Sequence, residues 1–262
     1  MSANKHDTVT TPSGTIFNLY VNLLRQPHLL IAGATGSGKS VVVNGLISTA
    51  LFNAPGRQTG GVEFILIDPK RVELAQYRQL RHTLLYASEP QDFLYVLDEA
   101  MQITEEDRYR TMQAQGVRRW TGGDLYIIID EFADLMTTQR RAVQPVIQRL
   151  AQIGRAAKVH LIIATQTPIS KVLPTEIKCN FDARVGLRTR SRQDSINILG
   201  HAGLETLPRY GEGVVMLPEG ETLYKIPMVE DAEIERLCSF WMEQCPPQPP
   251  RKPSLLQRLF GW

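Results

Sequence analysis

The stretch HLLIAGATGSGKSVVVN, residues 28–44, decides the fold. Its first part, HLLIAG (28–33), reads as a short buried strand, and KSVVVNGLISTALF (39–52) has the character of a helix. Between them GATGSGKS (33–40) meets the spacing G-x-x-x-x-G-K-[ST] in full, in the strand–turn–helix setting that gives this motif its meaning. Glycines let the backbone curl so that successive N–H groups point inward, and the helix N-terminus adds partial positive charge. Such a cradle suits a phosphate chain. The candidate nucleotide contacts are Gly33, Ala34, Thr35, Gly36, Ser37, Gly38, Lys39, Ser40 and Val41. Lys39 is spaced to reach the β- and γ-phosphates, and the Ser40 hydroxyl to ligate Mg²⁺.

A second stretch, YIIIDEFADLM (126–136), ends an apolar run on two adjacent acids. Neighbouring carboxylates repel, and burying them costs desolvation energy. A bound cation offsets both, so Asp130 is the candidate magnesium-shell carboxylate and Glu131 the candidate base that orients the attacking water. A third apolar run, HLIIATQTP (160–168), carries Thr165 and Gln166 at its end, where the Gln166 amide can report a γ-phosphate or simply cap the strand. A guanine-reading Asn-Lys-x-Asp segment does not occur, which favours ATP.

These strands belong to a larger alternation. VEFILID (62–68), DLYIIID (124–130), VHLIIAT (159–165) and FDARVGL (181–187) read as further strands. RVELAQYRQL (71–80) suggests a short helix, and 89–115 a longer one. RRAVQPVIQRLAQIGRAA (140–157) reads as a helix that starts near Pro145 or bends there. VVMLPEGETLYKI (214–226) reads as a hairpin and EDAEIERLCSFWMEQ as a last helix. Near-continuous apolar strands alternating with helices define an α/β protein with a mostly parallel sheet covered on both faces, a C-terminal hairpin and a helix. Ligands of such sheets sit at the carboxyl ends of the strands.

Composition narrows the field. The chain has 262 residues, 43% hydrophobic, with a formal net charge of +2, so any polyanion surface must be local. Cys179, Cys238 and Cys245 form no metal-binding spacing and read as reduced thiols, which with the lack of a membrane-length apolar run or signal sequence suggests a cytoplasmic chain.

The motifs also resemble, in order, the motor domain of the FtsK/SpoIIIE family. The likeness runs over about residues 12 to 241 and is carried by PHLLIAGATGSGKSVVVN, FILIDPKRVELAQY, EDRYRTMQAQGV, LYIIIDEFADLM, RLAQIGRAAKVHLIIATQTP and DSINILGHAGLETLPRYGEG. The resemblance implies a RecA-like fold, a homohexameric ring, and ATP-driven movement along double-stranded DNA in the central pore. It implies that Arg155 reaches the γ-phosphate held by a neighbouring subunit, stabilising transition-state charge. It implies DNA contacts from two loops, through Thr167 and Lys171 in TPISK (167–171) and through Arg188, Arg190 and Arg192 in RTRSRQ (188–193). On an extended segment the three arginines would project to one side and track phosphates without reading bases; the ordinary alternative is a solvated basic loop.

Departures from the family pattern define further expectations. Thr167 stands where an arginine usually follows ATQ, and GVRRWTGG (116–123) is a short connection. The expected organisation is a flexible N-terminus (1–11), a motor domain (12–244) and a Pro-rich spacer with a short tail (245–262), with neither a membrane region before the motor nor a winged-helix module after it. In the tail, Leu255, Leu256, Leu259, Phe260 and Trp262 could form an apolar face beside Arg251, Lys252 and Arg258, able to dock on a recruiting protein or a membrane surface. DNA transfer or segregation by a mobile element, phage or plasmid is the expected setting. The alternatives are an ATPase that powers protein secretion and a nucleotide-dependent switch with little turnover.

Overall fold

The computed structural model describes residues 19–53 and 61–245. The N-terminal segment 1–11, most of the loop after the first helix and the apolar tail lie outside the described residues.

The first strand, β1 (His28–Ala32), runs into the glycine turn and then α1 (Lys39–Asn53). β2 (Glu63–Ile67) and β3 (Thr83–Ala87) follow, then α2 (Pro90–Gln102), a π-helical segment (Ile103–Tyr109) and α3 (Arg110–Gln115). β4 (Leu125–Ile129) leads into α4 (Phe132–Thr138) and the long α5 (Arg140–Ala157). β5 (Val159–Thr165), the short α6 (Thr175–Lys178), β6 (Ala183–Leu187), α7 (Arg192–Leu199), the hairpin β7 (Glu212–Leu217) and β8 (Gly220–Lys225), and α8 (Asp231–Gln244) complete the order.

These strands form one eight-stranded sheet in the order β3-β2-β4-β5-β1-β6-β7-β8. The pairs from β3 through β6 are parallel, and only β6–β7 and β7–β8 are antiparallel. The central strands β1, β2, β4 and β5 are almost wholly apolar because both faces are covered, whereas β8 at the far edge is mostly exposed. In β4, Leu125, Ile127 and Ile129 point into one core layer while Tyr126 and Ile128 point into the other. The first layer is filled by α2, α4 and α5, and the second by α1 and α8.

Two sequence expectations need correction, and one strand escaped the sequence reading. RVELAQYRQL forms only the 3₁₀ turn Ala75–Tyr77. A helix does not develop because the Asp68 carboxylate accepts from the Leu74 amide at 2.9 Å, and Arg71 adopts a left-handed conformation (φ 60°) while pairing with Glu89. α5 does not start at Pro145: it begins at Arg140, and the proline lies inside it. β3 went unread; it is an edge strand, mostly half-buried, and its short TLLYA run has no strong pattern.

The end of α5 is fixed tightly. A Cβ on Gly154 would come within 2.4 Å of the Val159 carbonyl, so glycine is required where the helix returns onto β5. Arg108, buried in the π-helical segment, donates to the carbonyls of Ala157 (2.7 Å) and Lys158 (3.0 Å) and lies under the Trp120 ring. Among the described residues no helix is long and apolar enough to cross a membrane.

His28, at the start of β1, is buried, and its Nδ1 accepts from the Leu161 amide at 3.1 Å. Burial, with a smaller contribution from His160 and against a backbone contact at Ala151, pushes its pKa down to about 4. The unfolded chain takes up this proton near pH 6.5 and the folded chain resists it, so stability present above 6.5 is lost as pH falls toward 4. Between pH 7 and 5 this group should cost about 2 kcal/mol. His28→Asn keeps an acceptor for Leu161 and removes the titration; urea midpoints at the two pH values should converge in the variant relative to the parent.

Candidate active site

Parallel pairing brings the carboxyl ends of β2, β4, β5, β1 and β6 to one edge of the sheet in that order. Each end delivers one loop to the same place.

The β1 loop is the glycine turn. Gly36 (φ 71°) and Gly38 (φ 102°) hold the left-handed conformations that curl it, a geometry side chains resist. Lys39 folds back along the loop, donating to the carbonyls of Gly33 (2.8 Å) and Ala34 (2.9 Å). Burial pushes its pKa down to about 8, against the pull of Glu131 and Asp130. Ser37 Oγ is buried and unpartnered. The first-turn amides of α1, which have no intrahelical acceptors, open beside it. A buried lysine, an orphaned hydroxyl and a ring of amides fit a phosphate chain.

β4 delivers the acids. Asp130 is buried, its amide bonded to the Ile67 carbonyl at 3.0 Å. Burial, then Glu73 and Asp68, push its carboxyl up to about 7. Glu131 is 4% exposed and held from three sides. Its Oε2 accepts from Lys70 Nζ at 3.0 Å, and its Oε1 accepts from Thr165 Oγ1 at 3.0 Å and the Gln166 amide at 3.1 Å. Burial alone would lower the Lys70 ammonium, but Glu131 outweighs it and the net shift is upward. The hydroxyl of Ser40 and the carboxylate of Asp130 are hard oxygen donors of the kind a Mg²⁺ ion takes alongside phosphate oxygens and water.

The two flanking loops carry the other sequence candidates. After β5, the Gln166 amide oxygen accepts from Thr35 Oγ1 at 2.6 Å, while Thr167 and Lys171 are exposed. After β6, Arg188 and Arg190 are exposed on either side of the buried Thr189. Arg192 does not continue an extended row: Ser191 caps α7, accepting from the Asp194 amide at 3.1 Å, and Arg192 is the first helical residue. Arg155 stands apart. It is exposed at the end of α5, beside the start of β5, so the length of β5 puts it roughly 20 Å from the glycine turn. In its own chain it cannot touch a phosphate held there.

Sequence reasoning missed Lys70 and Thr165 as partners of Glu131. IDPK places Lys70 just beyond a strand end, but that β2 lies next to β4 is a fact of strand order, which the sequence does not state.

The chain belongs to the FtsK/SpoIIIE family, whose profile matches residues 9–127 and 123–170. Relatives include the DNA translocase FtsK of Caulobacter vibrioides, 35% identical over 87% of this chain and 32% of the relative. The DNA translocase FtsK of Streptococcus agalactiae is 34% identical over 92% of this chain and 32% of the relative. The chain thus spans about a third of the length of these relatives. Among solved structures, the pCW3 conjugation coupling protein TcpA with ATPγS superposes with TM-score 0.69 at 22% identity, over 83% of this chain and 66% of that one. The type VII secretion ATPase EccC of Thermomonospora curvata superposes with TM-score 0.66 at 21% identity, over 88% of this chain and 29% of that one. Both share the fold, which is that of P-loop ATPase motor domains.

The raised Asp130 carboxyl gives a pH signature. Its proton is held to about pH 7 when folded and lost near 3.8 when unfolded, so the stability it lends is full at low pH and declines as pH rises through 7. In chelator, Asp130→Asn should therefore raise stability at pH 8 by about 4 kcal/mol and make little difference at pH 4. Chemical denaturation at both pH values measures it.

Proposed function

We propose that this chain hydrolyses ATP and uses it to move double-stranded DNA, working as a ring of identical subunits, six in number, with the duplex in the pore. The observation that carries the reading is the triply held Glu131 carboxylate opposite Lys39. A base fixed by Lys70, Thr165 and the Gln166 amide is positioned to orient a water and take its proton without reorganising. Lys39 and the turn amides bind the phosphates. Ser40 and Asp130 would hold Mg²⁺, which when bound neutralises phosphate charge. Gln166 senses the terminal phosphate, and Arg155, on the far rim of its own sheet, reaches the site of the adjoining subunit. Catalysis then requires two copies, and ATP binding draws them together.

DNA is favoured over protein as the cargo because relatives at 34–35% identity are DNA translocases, whereas the secretion ATPases share the fold at much lower identity. The exposed Arg188 and Arg192, with Lys171 across the turn, offer a sequence-tolerant grip on phosphates. Residues 12–244 act as the motor, and the apolar tail recruits it to a partner protein or a membrane surface. The setting is DNA transfer or segregation by a mobile element, phage or plasmid.

ATPase assays with linear duplex DNA test the reading. Turnover should rise with DNA at low salt and lose that stimulation as salt increases. Glu131→Gln should retain ATP while turnover falls by about 10²-fold or more, and Arg155→Ala should bind ATP yet lose roughly 10³-fold in rate. Robust turnover that ignores DNA at every salt concentration would instead favour protein transport.

A further inference from the structure

We propose that Arg190, from the loop that the family likeness assigns to DNA, serves the nucleotide instead: it is a positioning residue that fixes Thr35 and, through Thr35, the Gln166 amide. The proposal rests on the reading that the glycine turn holds ATP.

The loop containing Arg190 lies where it does because β6 pairs with β1 on the side opposite β5. It therefore emerges beside the glycine turn, and the backbone is stitched to it: the Ala34 amide donates to the Arg188 carbonyl at 2.8 Å. Thr189 is buried, its amide bonded to the Leu204 carbonyl at 3.3 Å and its hydroxyl donating to the Ser191 carbonyl at 3.1 Å. The Ser191 cap then fixes the next residue. Arg190 thus stands between two anchored neighbours, with its side chain directed by the backbone.

Its guanidinium Nη2 donates to Thr35 Oγ1 at 3.2 Å, and the same hydroxyl donates to Gln166 Oε1 at 2.6 Å. A hydroxyl has one proton to give. With that proton committed to Gln166, the oxygen accepts from Arg190, so the chain has one direction. The same residue, through its main-chain N–H rather than its side-chain amide, donates to Glu131, which accepts from Lys70. The sequence Lys70–Glu131–Gln166–Thr35–Arg190 takes one residue from each of five consecutive strand ends, β2, β4, β5, β1 and β6. Arg190 closes the far end of that row. A guanidinium is always charged and fixed in plane, which suits a residue that holds a hydroxyl rotor and an amide in one orientation. Arg190 is exposed like Arg188, but it spends a donor inward on Thr35.

Steady-state ATPase kinetics without DNA, on the full chain, decide the point. Arg190→Ala should lower kcat by about tenfold with a much smaller change in KM, because it misplaces groups that act after binding. Arg190→Lys, which retains a donor, should recover part of the loss. Thr35→Val should reproduce the defect, Thr35→Ser, which keeps a hydroxyl, should recover part of it, and combining Thr35→Val with Arg190→Ala should cost no more than either alone. In parallel, duplex binding measured against salt should keep its slope in Arg190→Ala, whereas Arg188→Ala should flatten it by about one. The proposal is overturned if Arg190→Ala turns over normally and flattens the salt slope, if Thr35→Val is kinetically normal, or if the two defects multiply. A parent protein that neither binds nor cleaves ATP with Mg²⁺ brings down the nucleotide reading itself, a result separable from all of these.

Discussion

β1 has a parallel neighbour on each side, β5 on one and β6 on the other, and the rest of the site depends on that placement. A strand at the sheet's edge could still have carried the glycine turn, but it would have offered the phosphates one flanking loop. Here the turn is walled by two, and each is bonded to it: Gln166 through Thr35, and the Arg188–Arg190 segment through Ala34 and Thr35. Two strands further, β4 brings the acids, and β2 beyond it brings the lysine that grips Glu131. A displacement of the turn would strain bonds in both flanking loops, and a displacement of either loop would strain the turn. Nucleotide state and loop position are mechanically linked by geometry that exists before any partner arrives.

The electrostatics of the cluster point the same way. Burial pushes the Asp130 carboxyl up to about 7 and the Lys39 ammonium down to about 8, so each charged form is disfavoured where it sits. Structural cores avoid such pairings, since apolar replacements of similar size would fold as well or better. Groups held at a cost, on the rim of a sheet and next to an orphaned Ser37 hydroxyl, are arranged for something that is not protein. On the proposed reading, a polyphosphate with a divalent ion would supply charges of both signs to them.

Much of this was legible in the sequence, and the limits follow from physics. The central strands were readable because burial on both faces leaves unbroken apolar runs, and the glycine turn because its backbone needs residues without side chains. The edge strand Thr83–Ala87 was not, since half-burial removes the contrast that marks a strand. The helix expected at RVELAQYRQL failed because Asp68 and Arg71 commit the backbone elsewhere, through contacts with Leu74 and Glu89 that are side-chain matters. Asp130, Glu131 and Gln166 could be named from their places at strand ends. Their partners could not: Lys70 is 61 residues from Glu131, and Arg190 is 155 from Thr35. Adjacency of that kind comes from strand order, which local pattern does not encode.

Arg155 sits on a firm mount. The Gly154 approach to Val159, the Arg108 bonds to the carbonyls of Ala157 and Lys158, and the left-handed Lys158 (φ 52°) hold the end of α5 rigidly. An exposed arginine on so firm a mount is a costly way to display a solvated charge, because a flexible loop would serve solvent equally well. Rigid presentation has value when the target is also rigid and lies outside the chain. The glycine turn at the other end of the same sheet is such a target, and it too faces outward through the exposed Thr35 and Gly36. On the proposed reading one rim of the sheet presents a cation and the other a phosphate site, which would let identical copies meet head to tail. Contacts of this heterologous kind close into rings when the rotation between copies permits. The polarity of the parallel sheet, which separates the two features within one subunit, would in such a ring make them complementary between subunits.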